Sequence, residues 1–271
     1  MKSRILVAVV CIPVLLVIIY ALPPVATVIL VAGLCAVSAY EMLSGTGLVK
    51  DRILTVLSIF MAACIPFWSY YSQSAVPALW GLFIYFALLF AVALHRHQTV
   101  QISELFASFF AAVLIPVFLS SLVRIRRTEF GAYYILVPIA IAFIADGGAY
   151  FTGTFWGKHK MAPQLSPKKT WEGVFGGAVT AVLGMLLYCT VCQYIFGRQP
   201  VYSYAVVYAL AGSVLDYEGD LAFSLMKRQT GIKDYGKILP GHGGILDRFD
   251  SMVFVAPLVE ILLQLLPLFE S

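Results

Sequence analysis

The chain has 271 residues, 61% of them hydrophobic and 12% charged, with a net charge of +4 and a mean hydropathy of +0.91. Soluble domains carry roughly 25% charged residues, so this composition excludes a water-soluble globule. The net charge is modest, and the placement of the charges carries the information instead.

Apolar runs recur at about 5–22, 25–42, 53–70, 76–94, 104–123, 132–151, 173–196, 203–225 and 252–269. Each is about as long as a helix must be to cross roughly 30 Å of hydrocarbon. The expected fold is an all-α, polytopic membrane bundle of about nine spans. Lys2 and Arg4 precede the first run as in a signal peptide, but no small-x-small cleavage site follows and Pro23-Pro24 leads directly into the second run. The first run therefore reads as a retained span. Residues 1–131 hold five spans and little else; 132–271 hold the remaining spans and two long polar loops. All five cysteines lie inside apolar runs. Cys189 and Cys192 have no second pair beside them and read as ordinary packing residues.

Lys and Arg set the expected topology. With the N-terminus inside, 14 fall on the cytoplasmic side and 4 (Arg124, Arg126, Arg127 and Arg198) on the other, out of 18. The positive-inside rule then places the N-terminus and both polar loops in the cytoplasm. The three clustered arginines go against that rule.

Carboxylates within apolar runs are costly and need a partner or a purpose. Glu41 ends the second run and Glu260 lies in the last. Asp146 sits among glycines in Ala145-Asp146-Gly147-Gly148. Gly212, Asp216, Asp220 and Ser224 are spaced by four and share a helix face; Glu218 lies off it. A helix end emerging into water accounts for Asp216 and Glu218 better than for Asp220, which apolar residues follow. Asp247 and Asp250 form an i, i+3 pair expected on one helix face, after the loop Pro240-Gly241-His242-Gly243-Gly244. Glycine-rich loops entering helices suit phosphate. The complementary charge lies in 157–173 and 227–237, where Lys and Arg alternate with Ser, Thr, Gly and Pro. Carboxylates that can hold Mg²⁺ beside basic loops make the arrangement that phosphoryl chemistry requires.

The order Ser224-x-x-Lys227-Arg228, Lys233-Asp234, Pro240-Gly241-His242-Gly243-Gly244 and Asp247-Arg248-x-Asp250 resembles the signature of phosphatidate cytidylyltransferases (CDP-diacylglycerol synthases). Ser166-Pro167-Lys168-Lys169-Thr170, Glu172-Gly173 and Gly219-Asp220-Leu221 resemble it too. The likeness covers about 143–252. Gly147 stands where the family commonly has Thr. The resemblance implies that phosphatidic acid attacks the α-phosphorus of CTP, giving CDP-diacylglycerol and pyrophosphate for phospholipid synthesis. It implies Mg²⁺, with room for a second cation, held by Asp220 and Asp247 with Asp250 or Asp146 assisting. Lys227 joins these as a catalytic residue. Ser166, Lys168, Lys169, Ser224, Arg228, Lys233, His242, Gly243, Gly244 and Arg248 would bind substrate. Expected partners are CTP, phosphatidic acid, membrane lipids and a second copy of the chain, with no nucleic acid, at the cytoplasmic face of the inner membrane. The alternatives are a CTP-dependent cytidylyltransferase or kinase for another lipid, and an ion-coupled transporter, against which the absence of an inverted repeat counts.

Overall fold

A computed structural model of the chain describes residues 13–72, 74–238 and 243–270. Part of the first expected span, and His242, lie outside these residues. The described part is helical except for one short hairpin. Helix α1 covers 13–20. Then follow α2 (Pro24–Tyr40, continued by a π-turn at Glu41–Gly45), α3 (Arg52–Tyr71), α4 (Val76–His95) and α5 (Ile102–Phe109). A second π-turn, Phe110–Leu114, leads into α6 (Ile115–Leu119), and α7 (Ser121–Arg126), α8 (Gly131–Tyr134) and α9 (Leu136–Phe155) come next. Strands β1 (Lys160–Ala162) and β2 (Ser166–Thr170) pair antiparallel before α10 (Trp171–Phe196) and α11 (Tyr202–Gln229). Finally come α12 (Leu246–Phe249) and α13 (Met252–Leu265).

Among the described residues, six segments are long and apolar enough to cross a membrane: Pro24–Gly45, Arg52–Tyr71, Val76–His95, Ile102–Arg126, Gly131–Phe155 and Trp171–Phe196. They coincide with the second to seventh runs read from the sequence. The eighth run is helical, but α11 also carries Asp216, Glu218, Asp220, Lys227 and Arg228. Helix α13 has 14 residues, about 21 Å at 1.5 Å per residue. The protein is thus an all-α, multi-pass membrane protein.

Two compact units share the chain. The first is Met1–Ala132 with Lys227–Phe249; the second is Tyr133–Met226 with Asp250–Ser271. The polar loop after α11 therefore folds with the N-terminal helices.

In the first unit, helix ends are tied by buried carboxylates. Asp51 caps α3, accepting from the backbone N–H groups of Ile53 (2.8 Å) and Leu54 (3.2 Å). Buried Glu104 accepts from Lys50 N at 2.9 Å and Gln101 N at 3.4 Å. The π-turn before α6 precedes Pro116, whose ring and missing N–H disturb the helical ladder.

In the second unit, α9 and α10 pack along a seam of small residues. A Cβ at Gly177 would stand 2.8 Å from the Ala145 carbonyl oxygen, and one at Gly173 would stand 3.0 Å from that of Ala149. Thr180 Oγ1 donates across the seam to Ile144 O at 3.3 Å. Close backbone approach of this kind drives helix association in lipid, where burial of apolar surface cannot.

Gly177→Leu should lower stability by about 1–3 kcal/mol through overpacking, read as a depressed unfolding temperature in detergent. Gly33, with nothing within 4 Å of an added Cβ, should accept the same change with no such shift.

Candidate active site

In the first unit the site grows around Asp247. Helix α11 ends in a double turn, with Gly231 at φ 72°. Gly231 N donates to Arg228 O at 3.2 Å and Ile232 N to Lys227 O at 2.9 Å, the pattern by which a left-handed glycine closes a helix. The chain then folds back over Lys227. The Lys227 Nζ donates to Asp247 Oδ1 at 2.8 Å and lies 5.2 Å from the centroid of the Tyr235 ring. Backbone N–H groups of Tyr235 (2.8 Å) and Gly244 (2.9 Å) donate to Asp247 Oδ2. Both charged partners are buried, with 8% exposure each. A carboxylate has about four acceptor positions; three are filled here.

The loop is held to α2 by one side chain. Glu41 is 1% exposed. Its Oε1 accepts from Ile245 N at 3.0 Å and its Oε2 from Leu246 N at 2.8 Å. It thereby caps α12, the turn that carries Asp247. Gly236 and Gly244 leave the room: a Cβ on either would strike the Glu41 carboxylate.

The second unit holds a second cluster. Lys169, from β2, pairs with Asp220 of α11, and its Nζ lies 4.8 Å over the Tyr217 ring. Ser224 Oγ donates to Asp220 Oδ1 at 3.3 Å. Asp216 is 1% exposed; its Oδ1 has no hydrogen-bond partner among the described residues, and it lies within electrostatic reach of Asp146, Lys169 and Asp220. The hairpin explains why adjacent lysines differ. Successive strand side chains point to opposite faces, so Lys169 turns inward while Lys168 is exposed. Thr170 then caps α10, its hydroxyl accepting from Gly173 N at 3.2 Å.

The expected site residues are therefore grouped as follows. The first unit brings together Lys227, Asp247, Gly243 and Gly244. The second brings together Asp146, Lys169, Asp220 and Ser224. Arg228, Lys233, Arg248 and Lys168 are exposed, and Ser166 is half-buried in the hairpin. His242 lies outside the described residues.

Two expectations are corrected. Asp247 and Asp250 do not share a continuous helix face: α12 ends at Phe249 and α13 begins at Met252. Asp250 Oδ1 instead accepts from the adjoining Ser251 N at 2.9 Å, which turns the chain there. Asp216 is not solvated; only Glu218 of that pair is exposed.

Among the described residues no three Asp, Glu, His or Cys side chains form a ready-made metal cage. The donors nonetheless suit Mg²⁺, which binds through one or two carboxylates and completes its shell with substrate phosphates and water. Asp216 lies within electrostatic reach of Asp146, Asp220 and Lys169, and its Oδ1, unpartnered among the described residues, needs a positive or donating neighbour. Asp247 retains about one acceptor position.

Comparison with known proteins decides the family. The sequence matches the cytidylyltransferase family over residues 2–266. The chain belongs to that family. It is similar to the phosphatidate cytidylyltransferase of Bacillus subtilis, 40% identical over 184 residues, which is 65% of this chain and 67% of the relative. It is also similar to those of Haemophilus influenzae (32% over 185 residues, 66% of this chain and 63% of the relative) and Thermotoga maritima (30% over 239 residues, 88% and 87%). For the first two, the matched stretch is about two thirds of the relative's length.

Glu41 and Asp216 are the site residues that sequence reasoning left without a role. For Asp216 a signal existed, since it shares the helical stripe with Asp220. For Glu41 there was only an acid at the end of an apolar run.

Removing the Glu41 carboxylate should free the 233–247 loop. Trypsin cleavage after Lys233 or Lys237 should be several-fold faster in Glu41→Ala than in the unaltered protein. Lys227→Ala should show the same sensitivity, because it strands a buried carboxylate at a cost of about 3–5 kcal/mol.

Proposed function

We propose that the chain transfers the cytidylyl group of CTP to phosphatidic acid, giving CDP-diacylglycerol and pyrophosphate for phospholipid synthesis. The observation that carries this reading is the pairing of carboxylates with inward-facing lysines, half-buried Asp220 with Lys169 and buried Asp247 with Lys227, in a chain of the cytidylyltransferase family. Its relatives named phosphatidate cytidylyltransferase support the choice of lipid.

In this reading a phosphatidate oxygen forms a bond to the α-phosphorus of CTP. The bond from that phosphorus to the β-phosphate bridge breaks, and pyrophosphate leaves with the electron pair. The nucleophile is already an anion, so no strong base is required. The protein's task is to bring two polyanions together and hold them in line. Lys169 and Lys227 offset charge on the phosphates, and Lys168, Arg228, Lys233 and Arg248 gather the anions at the exposed rim. Ser166, Ser224, His242 and the backbone of Gly243 and Gly244 donate to phosphate oxygens. Asp220 and Asp247, with Asp216, Asp146 or Asp250, are the groups that would hold Mg²⁺ and a second cation. When bound, such a cation neutralises phosphate charge and favours departure of pyrophosphate.

The topology that goes with this reading has nine spans, a cytoplasmic N-terminus and both basic loops at the cytoplasmic face of the inner membrane. A homodimer is part of the same proposal. Positive charge concentrated in 157–173 and 227–248 supports that orientation.

Purified protein supplied with Mg²⁺, CTP and phosphatidic acid should release pyrophosphate. Asp220→Asn and Asp247→Asn should each lower the rate at least 100-fold while the protein remains folded. Near-normal rates in both would remove the metal assignment. A panel of lipid phosphates with labelled CTP tests the lipid, and labelling of a different lipid in preference to phosphatidate would redirect it.

A further inference from the structure

Arg126 and Arg127 are left unused by the chemistry above, and they lie where the charge rule disfavours them. Part of their role is local. Arg126 Nη2 donates to Ile19 O at 2.9 Å, and Arg127 Nη1 to Ser69 O at 3.0 Å, so each guanidinium serves the carbonyl end of a neighbouring helix. A guanidinium has five N–H donors, and these bonds use one nitrogen each. Arg126 Nε is buried with no partner among the described residues. No carboxylate among them pairs with Arg126 or Arg127.

The two arginines open onto a cavity of about 420 Å³ lined by Pro24, Tyr70, Tyr71, Arg126, Arg127 and Thr128. Every lining residue belongs to the first unit. Pro24 starts α2, Tyr71 ends α3 and Arg126 ends the span from Ile102, so the cavity sits at one end of three helices. Glu41 and Asp51 mark the other end of α2 and α3, where the loop carrying Asp247 is held. Over the 20 residues of α3 the two ends are about 30 Å apart, the thickness of a bilayer core. The cavity is therefore separate from the Lys227–Asp247 cluster. Its composition is that of a membrane interface: tyrosines at headgroup level, with the Arg127 guanidinium 5.7 Å over the Tyr70 ring, which holds it in place.

We propose that this cavity binds the phosphate of an acidic phospholipid in the leaflet opposite the one that holds the Lys227–Asp247 cluster. The planar guanidinium donors match phosphate oxygens. With no acid partner among the described residues, the paired positive charge favours an anion over a zwitterion. Exposed apolar residues along α2 and α3, such as Ile29, Phe60 and Tyr71, give acyl chains a surface to follow. The site does not depend on the cytidylyl reaction and stands or falls apart from it.

The test uses the full-length protein in detergent. Native mass spectrometry and thermal unfolding are read with added phosphatidylglycerol, phosphatidylcholine or inorganic phosphate. Phosphatidylglycerol should bind and raise the unfolding temperature, and the other two should not. Arg126→Gln/Arg127→Gln should weaken phosphatidylglycerol binding at least tenfold, leaving turnover of CTP with phosphatidic acid unchanged. Asp220→Asn should retain full binding, which separates this site from the catalytic one. If the double variant is unstable, Arg127→Gln alone, altering an exposed side chain, should still weaken binding several-fold. Equal binding by the arginine variants, equal stabilisation by phosphatidylcholine, or the same effect from inorganic phosphate would each overturn the proposal.

Discussion

The carboxylate of Glu41, with one backbone N–H on each oxygen, is the contact on which the first unit's polar half depends. Ile245 and Leu246 donate to it, and these two residues lead into the turn that presents Asp247. Among the described residues of the loop, Tyr235 and Leu246 are the buried apolar side chains. Charge-assisted bonds to a buried acid are stronger than ordinary amide contacts, and here they add to the packing of Tyr235 and Leu246. Asp247 repeats the device one step further in, taking two backbone donors and one ammonium. Two buried acids thus fix the backbone at Tyr235 and at Gly244 to Leu246.

The second unit solves the same problem through a rigid support. The α9–α10 seam is too close for side chains larger than the ones present, and the hairpin grows from the end of that seam. Its strand alternation sends Lys169 inward, where Asp220 receives it. A flexible loop with the same lysines would let both point to water. The grouping of acids on α11 therefore meets a positive charge whose position is set by strand geometry and by the Thr170 cap.

Much of this was legible in the sequence, for identifiable reasons. The second to seventh spans were visible because about twenty consecutive apolar residues have few structural options. Asp220, Asp247, Lys169 and Lys227 stood out because charge near lipid demands an explanation. The rest was hidden by distance or by local competition. Glu41 and Ile245 are 204 residues apart, and no periodicity links them. The break after Phe249 arises because the Asp250 carboxylate bonds its neighbour's backbone, an alternative to helix that Asp commonly offers. The hairpin at 160–170 has strands of three and five residues, too short to give a pattern. A helix end near Asp216 is compatible with the sequence, but α11 runs on to Gln229 and Asp216 is buried within it.

The span of chain between Glu41 and its two donors also has a consequence in time. Ribosomes add roughly 5–20 residues per second, so the acid at the end of α2 is made about 10–40 s before the amides that complete it. During that interval the nascent protein carries an unsatisfied carboxylate where its second helix leaves the hydrocarbon. Water or lipid headgroups must solvate it until the last turn arrives. The order of synthesis thus delays closure of the loop that carries Asp247 until the membrane helix it is tied to already exists.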